Sequence, residues 1–89
     1  MARLFFTQQL ARFTTVAEVD TPATRLRAGL DTAFAANPTL RGYVLDEQGH
    51  LRANVVIFID GRRATDRVGL DDPLAPDSKV YVLQALSGG

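Results

Sequence analysis

The chain has 89 residues, enough for one compact domain with a single core that buries a little over ~60% of the unfolded surface. Apolar residues make up 46% and charged residues 22%, a globular composition, and ten acidic against ten basic side chains leave no field that favours nucleic acid or an anionic membrane. The absence of Cys excludes disulfides, thiolate zinc sites and thiol nucleophiles, the single His50 cannot build a metal centre, and no apolar run approaches the ~20 residues of a membrane span, so a partner, if there is one, is protein.

Taken in chain order, Arg3 to Thr7 is short and aromatic and reads as a first strand, and Thr14 to Val19 alternates weakly and returns beside it. The opening Met1-Ala2-Arg3-Leu4-Phe5-Phe6 meets Thr7-Gln8-Gln9 too early for a signal peptide, which gives a cytoplasmic expectation. Thr21-Pro22 supplies an N-cap hydroxyl and a proline at the first helical position. The helix it opens carries Ala23, Leu26, Leu30, Ala33 and Phe34 on one stripe, turns Arg25, Asp31 and Thr32 away, and ends at Asn37-Pro38. Gly29 inside it costs about 1 kcal/mol against Ala and reads as tolerated weakness, with close packing on the sheet as the alternative.

Tyr43-Val44-Leu45 and His50-Leu51 flank the turn Asp46-Glu47-Gln48-Gly49 as two small strand pieces. Asn54 to Ile59 is the strongest strand; its β-branched and aromatic run predicts a central strand covered on both faces, closed by Asp60-Gly61. Arg62 to Asp72 is polar and irregular, and after Asp72-Pro73-Leu74-Ala75-Pro76-Asp77 a last strand runs from Val80 to Leu86. The order is strand, strand, helix, strand, strand, strand, tail, with no internal repeat or linker: a domain over 1–86 and a flexible tail over 87–89. In the last strand, Val80 and Val82 suit the core, which places Tyr81 and Leu83 on the outer sheet face as candidates for partner docking, with Leu86 as an anchor at the root of the tail.

The most informative feature is the end, Ser87-Gly88-Gly89. Glycine has no Cβ and accepts almost any backbone conformation, so such a tail can lie extended in a channel too narrow for side chains and present its carboxylate to a reagent. The other candidates have plainer readings. His50 is a solvated loop residue; Arg62-Arg63 is an exposed pair, with docking of an acidic enzyme as the alternative; Asp71-Asp72 caps a turn beside Pro73 rather than forming an acid–base pair. No nucleophile, metal set or phosphate loop is visible, so the chain does not read as an enzyme in its own right.

The order of elements ahead of a diglycine resembles the α+β ubiquitin-like β-grasp fold, a mixed sheet wrapped around one main helix. Within it the chain resembles the MoaD/ThiS sulfur-carrier family over nearly its whole length. Leu4-Phe5-Phe6-Thr7-Gln8 is similar to the family's opening strand, Val55 to Gly61 to its Val-rich strand and turn, and Leu70-Asp71-Asp72-Pro73-Leu74 with Asp77 and Val80 to its approach to the last strand. Pro76-Asp77 departs from the Gly-Asp often found there, and Leu83-Gln84-Ala85-Leu86 lacks a frequent proline; Leu40 to Leu51 points to MoaD or the related CysO carriers rather than the shorter ThiS.

The resemblance implies that an ATP-dependent adenylating enzyme, related to ubiquitin activators, converts the Gly89 carboxylate to an acyl-adenylate. A sulfur donor then displaces AMP to leave a thiocarboxylate. The implied partners are that enzyme, the sulfur donor and a downstream sulfur-accepting enzyme, in a molybdopterin-type or cysteine-type pathway. ATP belongs to the activating enzyme, and the chain binds no cofactor or metal of its own. The alternative is a ubiquitin-like modifier joined through Gly89 to lysines; Lys79 is the only lysine of this chain.

Overall fold

A computed structural model of the chain describes residues 1–6 and 18–84. β1 (Ala2–Phe6) alternates as a half-buried strand should, with Ala2, Leu4 and Phe6 inward and Arg3 and Phe5 outward. β2 (Glu18–Thr21) pairs antiparallel with it from Phe5↔Glu18 to Ala2↔Thr21. The expected second strand is met at Glu18-Val19, and its residues 14–17 lie outside the described ones.

The ladder runs on through Thr21, and this moves the helix start. Thr21 is a fully buried strand residue whose hydroxyl accepts from the Ala23 amide at 3.1 Å and lies 3.0 Å from the Thr32 hydroxyl. α1 (Leu26–Ala36) therefore begins at Leu26 with Arg25 extended before it, not at Thr21-Pro22, and no side chain caps it. Its free N–H groups are met from far along the sequence: Leu26 donates to the Asp72 carbonyl at 2.9 Å and Arg27 to the Leu70 carbonyl at 2.8 Å. The core stripe is Leu26, Leu30, Ala33 and Phe34 as expected, without Ala23. Gly29 is buried, and a Cβ there would stand 3.3 Å from Leu74 Cδ1 and 3.4 Å from Thr21 Cγ2, so close packing, not tolerance, explains it.

Asn37-Pro38 ends α1 but also starts a second helix, α2 (Pro38–Val44), with proline in the first turn and Leu40 and Val44 buried one turn apart. The strand piece expected at Tyr43-Val44-Leu45 is thus helix up to Val44, and only Leu45↔Leu51 survives as an isolated bridge around the turn. β3 (Val55–Ile59) is followed by Asp60 and Gly61, both at positive φ (51° and 84°), the two-residue geometry that folds a hairpin back tightly. Arg62–Arg63, expected to be irregular, consequently forms a two-residue β4 paired with Ile59 and Phe58. β5 (Lys79–Gln84) completes a five-stranded mixed sheet of order β2-β1-β5-β3-β4, parallel only between β1 and β5. The central strand is therefore β5, not β3: the parallel pairing of β1 with β5 pushes β3 one place outward.

The helices and the loop around Leu70 and Leu74 cover one face of the sheet. Leu26, Leu30 and Phe34 are buried in one cluster with Leu4, Val55, Ile57, Ile59, Val80 and Val82. Val56 and Phe58, on the other side of β3, are only half-buried, so the expected covering of both faces is absent among the described residues.

Candidate functional site

The register assigns the open face residue by residue. Glu18 pairs with Phe5, Phe5 with Tyr81, Tyr81 with Phe58, and Phe58 with Arg63, so one row crosses all five strands: a carboxylate, three aromatics, a guanidinium. Leu83 and Val56 form an apolar pair beside it, and Asp20, Arg3 and Lys79 form a polar row on the other side. The Phe5 and Tyr81 rings stack at 4.9 Å between centroids with 15° between planes, an arrangement that adds about 0.5–1.5 kcal/mol to simple burial. Tyr81 keeps 42% of its surface exposed, the largest apolar exposure in the centre of the sheet.

Tyr81 and Leu83 lie where the alternation placed them, although Leu83 is half-buried. Leu86, Ser87, Gly88 and Gly89 lie outside the described residues. Phe5, Phe58 and Val56 belong to the same face and were missed; strict alternation from the buried Leu4, Val55 and Ile57 would have found them.

The start of β5 is pinned by a carboxylate. Asp60 accepts the Ser78 hydroxyl at 2.8 Å and the Lys79 amide at 2.9 Å, while its own amide donates to the Lys79 carbonyl at 2.9 Å. The buried Ser78 hydroxyl also accepts from the Ala75 amide at 2.8 Å. The Lys79 amide, then the Ser78 hydroxyl, hold the Asp60 carboxyl below its ordinary range. Asp72 turns its carboxylate back to the Thr65 and Asp66 amides at 3.4 and 3.2 Å and Asp71 faces Arg25 at 3.9 Å, so the pair ties distant segments together where a cap on the turn beside Pro73 was expected.

Charge is uneven across the face. At the β2 edge Arg3 is answered by Asp20 at 2.7 Å and Glu18 at 3.7 Å, and its hydrogen bond holds the Asp20 carboxyl below the usual value. At the β4 edge neither Arg62 nor Arg63 has a carboxylate within ion-pair distance among the described residues. No described helix is long and apolar enough to cross a membrane.

No protein-family model matches the sequence, and no curated protein is significantly similar to it. Solved structures are. A chain of the Amycolatopsis orientalis BexX/CysO complex superposes at TM-score 0.86 with 13% identity, covering 100% of both chains. CysO of Mycobacterium tuberculosis gives 0.83 with 19% identity over 97% of this chain and 100% of that one. SAMP1 of Haloferax volcanii, a small archaeal modifier protein, gives 0.82 with 21% identity over 99% and 98%. The chain has the ubiquitin-like β-grasp fold. The β-grasp architecture expected from the order of elements is therefore met, with the helical layer made of two helices where one was anticipated.

Proposed function

We propose that this β-grasp chain is a sulfur carrier. In this reading the Gly89 carboxylate attacks the α-phosphate of ATP on an activating enzyme of the ubiquitin-activator class, releasing pyrophosphate. A sulfur donor then attacks the acyl-adenylate, AMP departs with the bond electrons, and a thiocarboxylate remains. The activation is needed because a carboxylate oxygen is a poor leaving group and AMP a good one. The observation that carries the reading is the aromatic row centred on Tyr81 of β5, the strand whose sequence runs on to Ser87-Gly88-Gly89: the row offers a docking surface, and a glycine tail suits a narrow channel. Likeness in fold to CysO supports it. Tyr81, Leu83 and Leu86 dock the partner, the tail enters the enzyme, and the sulfur passes to a second enzyme of a molybdopterin-type or cysteine-type pathway in the cytoplasm.

Likeness to a small archaeal modifier protein favours a second reading, amide transfer from Gly89 to lysines of other proteins. Incubation with ATP, a sulfide source and the activating enzyme from the same genome separates the two. The carrier reading expects replacement of one oxygen by sulfur at Gly89 by intact-protein mass spectrometry; the modifier reading expects adducts that survive thiols and carry Gly89 on a lysine. Deletion of Gly89 is expected to abolish either product and leave the melting temperature unchanged. A charged Gly89-deletion protein would end both readings.

A further inference from the structure

Between β4 and the turn at Asp72-Pro73 lies a cleft of about 340 Å³ lined by Ile59, Arg62, Arg63, Thr65, Asp72 and Pro73. We propose that this cleft receives a carboxylate side chain of the activating enzyme, so that the docking face is read from its basic edge; the inference rests on the sulfur-carrier reading above. Four observations carry it. Arg63 ends the aromatic row, next to Phe58, so whatever covers Tyr81 and Phe58 also reaches Arg63. Arg62 and Arg63 leave the two-residue edge strand on opposite faces, and neither has a described carboxylate within ion-pair distance, although Arg62 acts on the Asp60 carboxylate through space. Asp60 accepts from Ser78 and Lys79 and Asp72 from the Thr65 and Asp66 amides, so neither closes an ion pair with the arginines. The chain as a whole is neutral, so this surplus is local and not part of a general basic field.

The chemistry of the lining chooses the ligand. The planar fork of arginine binds a carboxylate through two parallel hydrogen bonds, and two such forks border the cleft. Asp72 places a fixed negative charge in the same cleft, which penalises a phosphate dianion more than a carboxylate monoanion, and Ile59 and Pro73 give an apolar lining suited to the stem of Asp or Glu. Position then sets the kinetics. Ile59 pairs with Val80 and Val55 with Gln84, so the cleft lies about 13 Å along the sheet from the end where the chain passes to its tail. A contact there adds to capture and not to the chemistry at Gly89.

Carrier-dependent pyrophosphate–ATP exchange by the activating enzyme from the same genome tests this. Arg62→Glu and Arg63→Glu are expected to raise the KM for the carrier about tenfold or more in low salt and leave kcat within about twofold, the gap narrowing as salt is raised. Arg62→Lys/Arg63→Lys, which keeps charge and loses the fork, falls between. Arg41→Glu, the same charge reversal on α2 across the sheet, leaves KM unchanged. Melting temperatures identify any variant that is merely unfolded, and the lysine pair then decides. If wild type supports exchange and the arginine variants match it, the cleft proposal is overturned and the reading of Gly89 stands. If wild type supports no exchange, the reading of Gly89 fails and takes the proposal with it. Saturable shifts of the Arg62 and Arg63 amides with low-millimolar inorganic phosphate would mark a phosphate site and overturn the carboxylate assignment.

Discussion

Asp66 closes the loop before Leu70 by accepting backbone N–H groups. Its Oδ1 takes the Gly69 amide at 2.8 Å and the Val68 amide at 3.3 Å, and its Oδ2 takes the Asp71 amide at 3.2 Å. These bonds, Gly69 first, hold its carboxyl below the ordinary range, as similar bonds do for Asp46 and Asp60 and the Arg3 contact does for Asp20. The loop matters because Leu70, held at a φ of 53°, and Asp72 present the carbonyls that receive the first amides of α1. A carboxyl with a depressed folded pKa binds fewer protons folded than unfolded, so its stabilisation is complete above the unfolded value near ~3.9 and is lost as pH falls through the lower folded values. Urea midpoints are therefore expected to be flat around neutrality and to fall from about pH 4 downward. Asp66→Asn, which turns a donor toward the Asp71 amide, should lower the neutral-pH midpoint and shallow the acid limb; parallel curves for the two proteins would disprove the assignment. Tyr81→Ala removes the Phe5 stack, so it should cost about 0.5–1.5 kcal/mol of stability. Its effect on capture by the activating enzyme should be larger, ~2 kcal/mol or about thirtyfold in affinity, read by titration calorimetry. Equal losses in stability and affinity would count against a docking role.

The elements hold together through α1. Leu30 is buried against both the sheet and its own helical neighbours, so Leu30→Ala is expected to cost about 2–5 kcal/mol in chemical denaturation, and a result near zero would remove the helix from the core. Gly29 gives a sharper test. Alanine there gains up to about 1 kcal/mol of helix propensity but sets its Cβ 3.3 Å from the buried Leu74 Cδ1, so crowding should cancel the gain and the net change should be small. Valine adds methyls toward Thr21 and should lose about 1–3 kcal/mol by overpacking. What was legible at this scale followed from periodicity: the stripe of α1, the alternation of β1 and β5, and the run of β3. What was not legible depended on contacts distant in sequence or on brevity. The start of α1 is decided by Thr21 pairing with Ala2 and by carbonyls at Leu70 and Asp72. Pro38 serves equally as a stop and as a first-turn residue, and the α2 choice rests on burying Leu40 and Val44 together. A strand of two arginines has no period to detect.

At the scale of the whole molecule, one face of the sheet builds the core, and among the described residues no element covers the other. The sequence showed the half of that division carried by β5, Tyr81 and Leu83, because they alternate with Val80 and Val82; the row that joins Phe5 and Phe58 to Tyr81 needed the sheet order, which no local pattern encodes. That order has a mechanical consequence. β1 and β5 run parallel side by side, with Arg3 opposite Lys79 and Phe6 opposite Val82. Tension applied between the N-terminal end of β1 and the C-terminal end of β5 pulls these two strands past one another in shear, so their ladder bonds must yield together, whereas a load that opens β3 from β4 would peel pairs singly. β5 is also bonded on its other edge to β3, so a motor hauling from the Gln84 side must extract the most heavily bonded strand first. A protein handed from enzyme to enzyme by its last residues would then be stiffest along the direction in which it is gripped.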